Sequence, residues 1–174
     1  MTVTDDRALF KRLTLSLSDL NEAMFCLERL TCRGSFSTAS EPDFATLRAL
    51  HTTAVLAYAR PFTANRATAD VLPKLPSRLL KGYSREQRLL HERLLKLRNE
   101  HFAHSDPEPA AVRVWIQSAA KDSPTGLPSH WASMEGYTLN SADIEGLYSL
   151  LNYLWAAVNA ERVAILTRLP RGGF

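Results

Sequence analysis

Apolar residues recur at alternating spacings of three and four positions in separate segments of this chain. This spacing places them along one side of an α-helix, so each segment is predicted to be an amphipathic helix with a buried stripe. The first helix is predicted from about Asp5 to Thr31, and the last follows a predicted N-cap at Asn140. Their stripes consist of Phe10, Leu13, Leu17, Leu20, Met24 and Leu27, and of Ile144, Leu147, Leu151, Leu154 and Val158.

Two capping-box patterns mark the starts of two further helices. Ser40-Glu41-Pro42-Asp43 predicts a second helix that ends near Phe62, and Ser84-Arg85-Glu86-Gln87 predicts a third that continues to Ala103 or His104. In such a box, the side chains of the first and fourth residues each accept a hydrogen bond from the backbone N–H of the other at the helix start. The prolines that follow the third helix prevent it from continuing.

The segments between these helices follow other patterns. Residues 63–83 contain two prolines, a glycine and little periodicity, which predicts a long connection with one short helical turn. Residues 112–116 have Val or Ile at every second position, which is a strand pattern, and residues 131–139 are the predicted partner strand. Because four amphipathic helices must bury their stripes against one another, we expect an all-α fold. It is predicted to be a single domain over residues 1–174, an up-and-down four-helix bundle with a small β-hairpin insertion between the third and fourth helices.

Composition narrows the class of protein further. A chain of 174 residues, of which 45% are hydrophobic, has enough material for one domain with a proper core. The net charge of +3 is compatible with a nucleic-acid partner but does not indicate one. Cys26 and Cys32 lack CxxC spacing, which favours reduced structural thiols over a disulfide or a zinc site. The N-terminus has no signal-peptide pattern and no apolar run is long enough to span a membrane, so a cytoplasmic protein without a membrane partner is expected.

Polar and ionisable side chains crowd the end of the predicted third helix, in the segment Leu97-Arg98-Asn99-Glu100-His101-Phe102-Ala103-His104-Ser105-Asp106. Arginine holds a phosphate with a forked, permanently charged donor, and histidine moves protons near neutral pH. His101 lies three residues from both Arg98 and His104, which makes it a neighbour of both on a helix. One phosphate can bridge Arg98 and His104, especially where the same end of a second protomer faces it across a two-fold axis. The cluster therefore indicates phosphodiester chemistry.

An Arg, a polar residue and a His a few positions later at the end of a third helix resemble the motif of the HEPN superfamily. The segment Tyr58-Ala59-Arg60-Pro61-Phe62 at the end of the second helix adds to this. Together the two elements make residues 44–106 similar to the bacterial HEPN-like family associated with abortive infection, the U-type phage-resistance proteins. Five residues separate Arg98 and His104, a spacing that the wider HEPN pattern tolerates.

This resemblance implies a metal-independent endoribonuclease of a phage-defence or toxin–antitoxin system. It would act on RNA as a homodimer, without a cofactor, and a cognate antitoxin or regulator would be a further partner. The residues in the catalytic motif positions are Arg98, Asn99 and His104, and the candidate binding residues are His101, Asp106 and Arg60. A histidine would assist proton transfer while the ribose 2′-hydroxyl attacks the neighbouring phosphate, and arginine would stabilise the charge on the phosphorus oxygens.

Simpler interpretations of the same residues stay open. Arg98 can pair with Glu92, Glu100 or Asp106, and His104 can be a C-cap that bonds a carbonyl of the last turn. Arg60 precedes Pro61, which also favours a role in fixing the connection that follows. His101 is also typical of a helix surface residue, and the second helix carries His51 on or beside its apolar stripe, which favours a buried histidine over a ligand.

Two other classes of function compete with the nuclease. Glu100, His101, His104 and Asp106 have metal-binding side chains close together in the sequence. Their spacing argues against a metal site, because the third helix lacks the second histidine of a zinc-protease helix and no Glu-x-x-His pair repeats as in a di-iron bundle. The alternative function is a non-catalytic helical dimer that serves as a partner-binding or nucleic-acid-binding module.

Overall fold

The computed structural model describes residues 3–33, 41–63, 72–99, 111–116, 130–135 and 139–169. Its main elements are α1 (Val3–Arg33), α2 (Glu41–Ala59), α3 (Arg85–Leu97), β1 (Ala111–Ile116), β2 (His130–Glu135) and α4 (Ser141–Leu166). The described part is mainly helical, which confirms the predicted all-α class. A 3₁₀ turn over Arg60–Phe62 ends α2, and a second over Ser77–Leu80 is the predicted helical turn of the long connection. β1 pairs antiparallel with β2, with Ala111 opposite Glu135 and Ile116 opposite His130.

Reciprocal side-chain caps begin two of the helices, of which the one at Ser84 was predicted as a capping box and the one at Asn140 only as an N-cap. The Ser84 hydroxyl accepts the backbone N–H of Gln87 at 3.2 Å, and the Gln87 side chain accepts the backbone N–H of Ser84 at 2.9 Å. Asn140 and Asp143 form the same arrangement at the start of α4, at 2.9 and 3.2 Å. Ser40, the predicted cap of α2, lies outside the described residues.

The predicted stripes of α1 and α4 meet in one hydrophobic core. Their central leucines are fully buried, and they are joined by buried residues of α2 and α3. Complete burial of a leucine contributes roughly 1.5–3 kcal/mol relative to leaving it in water. The fully buried set includes Leu13, Leu20, Leu27, Leu47, Leu94, Leu147, Leu151 and Leu154.

Polar contacts fix α4 against α1 and α3. Trp155 on α4 donates its indole N–H to Asn21 of α1 at 3.0 Å, and Gln87 of α3 donates to Ser149 of α4 at 3.0 Å. Gly146 lets α3 and α4 approach closely, because a Cβ there would lie 2.6 Å from a methyl of Leu90. No side chain fits in that space without movement of Leu90.

Arg12 attaches α1 to the connection that follows α2. It is only 5% exposed, and its guanidinium donates to the backbone carbonyls of Pro73 at 2.7 Å, Thr63 at 3.0 Å and Arg60 at 3.4 Å. The N–H of Leu75 also donates to the carbonyl of Pro61 at 2.9 Å. The buried guanidinium of Arg12 therefore holds two parts of the connection on α1: its start at Thr63 and its later part at Pro73.

Candidate functional site

The predicted catalytic segment begins where α3 ends. Arg98 is the C-cap, and its backbone N–H donates to the carbonyls of Leu94 and Leu95. Its side chain is partly exposed and donates from Nη1 to Oδ1 of the exposed Asn99 at 2.8 Å. Glu92, which the sequence offers as another partner for Arg98, does not pair with it. Arg98 and Asn99 thus lie side by side at an accessible helix end, and the amide orients the guanidinium.

The remaining predicted residues of this cluster follow directly in the sequence. His101, His104 and Asp106, together with Glu100, lie outside the described residues. The assignments of His104 to catalysis and of His101 and Asp106 to binding therefore stay predictions. The structure places two of the three predicted catalytic residues, and it places them together.

An ion pair holds the last turns of α3 on the start of α4. Arg93 donates from Nη2 to Oδ1 of Asp143, whose side chain is only 12% exposed. The other carboxylate oxygen of Asp143 caps α4 by accepting the N–H of Asn140. On the core side, Leu94 and Leu97 are buried. The backbone that carries Arg98 is therefore fixed by a charged contact and by apolar packing.

One of the two sequence elements that carry the family resemblance, the segment from Tyr58 to Phe62, contacts α3 through His91. Tyr58 is fully buried at the end of α2, and its hydroxyl lies 2.7 Å from Nδ1 of His91 on α3. The Phe62 ring lies edge-on to the imidazole, with 4.7 Å between ring centroids. Arg98 lies seven positions after His91, so the two lie on the same side of the helix, roughly 10 Å apart along its axis. The Tyr58–Phe62 segment thus packs on the face of α3 that leads to Arg98.

Burial keeps this aromatic cluster neutral. Loss of solvent lowers the pKa of His91, against the opposing charge of Glu92, and raises the pKa of Tyr58 well above its ordinary value. Burial likewise raises the pKa of Tyr83, whose ring contacts His91, to about 12. Because neither partner ionises easily near neutral pH, the Tyr58–His91 bond joins two helices and does not supply an exposed acid or base.

Arg60, the candidate binding residue on α2, makes its side-chain contacts with α1. Its guanidinium is 48% exposed and forms ion pairs with Glu22 at 2.5 Å and Asp19 at 3.3 Å. Burial raises the pKa of Asp19, and the hydrogen bond from Arg60 partly offsets that rise. These contacts hold the end of α2 on α1, whereas the predicted role of the Arg60 side chain in fixing the connection that follows stays a prediction. A contact of Arg60 with RNA stays a prediction.

Two positioning residues, Arg12 and Asp143, were not recognised from the sequence as parts of this arrangement. A signal existed for Arg12, because it lies among the buried residues Leu9, Leu13 and Ser16 on one side of α1. A charge on an otherwise buried face needs partners, which here are backbone carbonyls. For Asp143, the sequence analysis gave only the nearby N-cap at Asn140, which does not reveal the contact with α3.

The remaining predictions concern histidine, cysteine and metal sites. His51 is 5% exposed, as expected for a buried histidine, and burial lowers its pKa. Cys26 is a buried free thiol. Among the described residues, no group of three or more His, Cys, Asp or Glu side chains is arranged to hold a metal ion. The proposed metal ligands of the alternative site lie beyond this part of the chain.

Comparisons with known proteins give no relative for this chain. No protein-family model, curated protein or solved structure matches it. Within the described ranges, no helix combines the length and the hydrophobicity needed to cross a membrane.

Proposed function

We propose that this protein is a cytoplasmic, metal-independent endoribonuclease of the HEPN type that acts as a homodimer in a phage-defence or toxin–antitoxin system. The observation that carries the proposal is the pairing of Arg98 with Asn99 at an accessible end of α3. The Tyr58–Phe62 element supports it, because this second part of the resemblance packs on the same helix.

The scaffold of this proposal is an up-and-down four-helix bundle with a β1–β2 hairpin inserted between α3 and α4. Two sets of contacts support alternating helix directions. Asp6 and Asn21 of α1 contact Arg168 and Trp155, so residues later in α1 contact residues earlier in the α4 segment. This reversed order supports antiparallel directions for α1 and α4. Along α3, Gln87 and Arg93 contact Ser149 and Asp143 in the same reversed order. This arrangement puts the Arg98 end of α3 beside the start of α4.

The proposed reaction divides the work among three residues. The ribose 2′-hydroxyl attacks phosphorus, the 2′-oxygen–phosphorus bond forms and the bond to the 5′-oxygen breaks. His104 would assist the proton transfers, while Arg98 would stabilise the negative charge that builds on the phosphate oxygens. Asn99 would orient the guanidinium through the contact already formed at 2.8 Å. The products are a 2′,3′-cyclic phosphate and a free 5′-hydroxyl, and the step requires no metal ion.

A non-catalytic interaction module is the second candidate. The observation that favours it is the set of large apolar side chains that α4 exposes, among them Tyr148 at 40% and Trp155 at 37%. Such side chains are typical of a surface that binds another macromolecule. An interaction module would account for the exposed apolar side chains of α4. It would not account for the pairing of Arg98 with Asn99 at the end of α3.

The experiment incubates mixed cellular RNA with the wild type, Arg98→Ala and His104→Ala in excess chelator. We expect the wild type to leave 2′,3′-cyclic phosphate ends, and each variant to lose activity by about 10²-fold or more. Arg85→Ala is the matched control, because it removes the same charge from the exposed opposite end of α3. Circular dichroism checks that all variants fold.

Two results would contradict the nuclease. Wild-type activity that appears only after a divalent metal is added would favour the metal site. Failure of the wild type to cleave or bind RNA while it still dimerises would favour the interaction module, and the polar cluster would then be an ordinary helix end.

A further inference from the structure

The positive charge of this chain is concentrated in the segment that leads to Arg98. Residues 74–98 contain eight Lys or Arg residues and two Glu residues, a net charge of +6, whereas the whole chain has a net charge of +3. The remainder of the chain therefore has a net charge of −3. A basic segment in an otherwise acidic molecule is typical of a surface that binds a polyanion.

Two arginines of α3 keep their charge available on this segment. Arg88 and Arg98 form no ion pair with any carboxylate of the described residues. The guanidinium of Arg88 donates to the backbone carbonyls of Tyr83 at 3.3 Å and Lys81 at 3.1 Å, which hold it in place without cancelling its charge. Other arginines of the segment are paired with carboxylates: Arg78 with Glu161, and Arg93 with Asp143.

His91 contributes a neutral hydrogen-bond donor between these two arginines. Its Nδ1 lies 2.7 Å from the hydroxyl of Tyr58, a distance typical of a hydroxyl donor, while the Tyr83 hydroxyl is 3.5 Å from that of Tyr58. Tyr58 therefore donates to Nδ1, which leaves the imidazole proton on Nε2. His91 is partly exposed, and in the part of the chain that the structure describes its Nε2 has no hydrogen-bond partner.

Helical spacing places the three residues on one flank of α3. Arg88, His91 and Arg98 lie within about 80° of one another around the axis and span roughly 15 Å along it. The helical geometry continues through Arg98, which has αR dihedral angles. Arg85 and Glu92 lie roughly 80–100° away from the middle of this flank. The flank is therefore cationic along its length and carries no carboxylate.

We propose that this flank of α3 holds the RNA strand that the nuclease cleaves, with phosphates at Arg88 and Arg98 and the Nε2–H of His91 donating to a phosphate oxygen between them. The proposal rests on the proposed function and adds the surface that binds its substrate. Stacked bases advance about 3.4 Å per nucleotide in a strand, so the flank spans about four nucleotides. Each protomer carries its own flank, which ends at its own Arg98.

The ring of Phe62 indicates that the strand is single. It is partly exposed and lies beside His91, with 4.7 Å between the ring centroids. An aromatic ring next to phosphate contacts offers a surface on which a base can pack. Bases are available for such packing only where they are unpaired. Single-stranded RNA is therefore the substrate class that fits the flank.

Fluorescence anisotropy with a labelled, single-stranded 2′-O-methyl RNA of random sequence measures binding without cleavage, because this probe lacks the attacking hydroxyl. In excess chelator we expect the wild type to bind, with an affinity that falls as salt rises. Arg88→Gln should reduce the slope of log affinity against log salt by about 0.7, the value for one phosphate contact on a single strand. Lys11→Gln removes the same charge from an exposed position of α1 and should leave the slope unchanged. A wild type that does not bind the probe at low salt, or equal slopes in Arg88→Gln and the wild type, would overturn the flank.

A double variant separates the contact of His91 with RNA from its packing role. Tyr58→Phe/His91→Phe removes both partners of the buried hydrogen bond and leaves neither unpaired. It should bind the probe about tenfold more weakly than Tyr58→Phe, which keeps the imidazole. Equal affinities of these two variants would show that His91 only joins the helices. Circular dichroism checks that both fold.

Two further comparisons test the substrate class and the link to cleavage. A duplex of the same 2′-O-methyl RNA should compete at least tenfold less well than the single strand, and equal competition would refute the single-strand assignment. Cleavage of ordinary RNA is scored separately. A wild type that binds the probe through Arg88 and His91 but leaves ordinary RNA intact would refute the nuclease and keep the flank, whereas cleavage that is unaffected in Arg88→Gln and in the double variant would refute the flank and keep the nuclease.

Discussion

Replacement of Arg12 by methionine tests whether one buried guanidinium holds the connection between α2 and α3. Methionine keeps an unbranched apolar stem in the same space but has no N–H donors. The change leaves the carbonyls of Pro73, Thr63 and Arg60 without the donors that now lie at 2.7, 3.0 and 3.4 Å. The perturbation therefore removes hydrogen bonds while it changes packing little.

The expected loss follows from these contacts. A hydrogen bond that involves a charged group contributes about 1.5–3 kcal/mol, so the two shorter bonds contribute about 3–6 kcal/mol together. The longest contact adds little. Burial of a charge has an opposing cost, which also lowers the pKa of Arg12, and methionine removes that cost. We therefore expect a net loss of about 2–4 kcal/mol, or about 4–16 °C in melting temperature for a chain of this size.

Urea denaturation followed by circular dichroism measures this loss. Lys11→Met is the matched control, because the neighbouring side chain is exposed, and it should change the free energy of unfolding by less than about 0.5 kcal/mol. Arg12→Lys should lie between the control and Arg12→Met, since one ammonium group cannot reach all three carbonyls. An Arg12→Met protein as stable as the control would refute this account of the connection.

Two further predictions concern the core and its histidines. Leu20→Asp or Leu151→Asp would bury an unpaired charge at a fully buried position and should cost more than about 4 kcal/mol, so a wild-type melting temperature in either variant would contradict the common core. Burial lowers the pKa of both His51 and His91, so the unfolded chain takes up protons that the folded protein does not bind. The free energy of unfolding should therefore fall as the pH drops below about 6.5, and a pH series of urea titrations that gave a flat profile down to pH 5 would contradict it.

Periodicity and capping patterns predicted the positions of the described helices because these signals are local, although α3 is described only as far as Leu97 and its predicted end at Ala103 or His104 lies outside the described residues. Apolar residues at spacings of three and four lie on one side of a helix. In α1 and α4 this is the side that packs in the core. The reciprocal caps at Ser84 and Asn140 depend on residues only three positions apart. Such signals involve neighbours along the chain, so they can be recognised before the arrangement of the helices is known.

The contacts that support the candidate site are not local. Arg12 reaches residues 48 to 61 positions away, and Tyr58 bonds His91 across 33 positions. No short sequence pattern contains both partners of such a contact. Neither partner stands out in the sequence on its own. The pairing of Arg98 with Asn99 is the exception because it is a neighbour contact at the predicted motif. The sequence therefore indicated the candidate catalytic segment at the end of α3 but not the contacts that hold it in place.

Asp143 links the start of α4 to the end of α3. One of its oxygens caps α4 and the other binds Arg93, which lies five residues before Arg98. A shift in the start of α4 would therefore move the end of α3 as well.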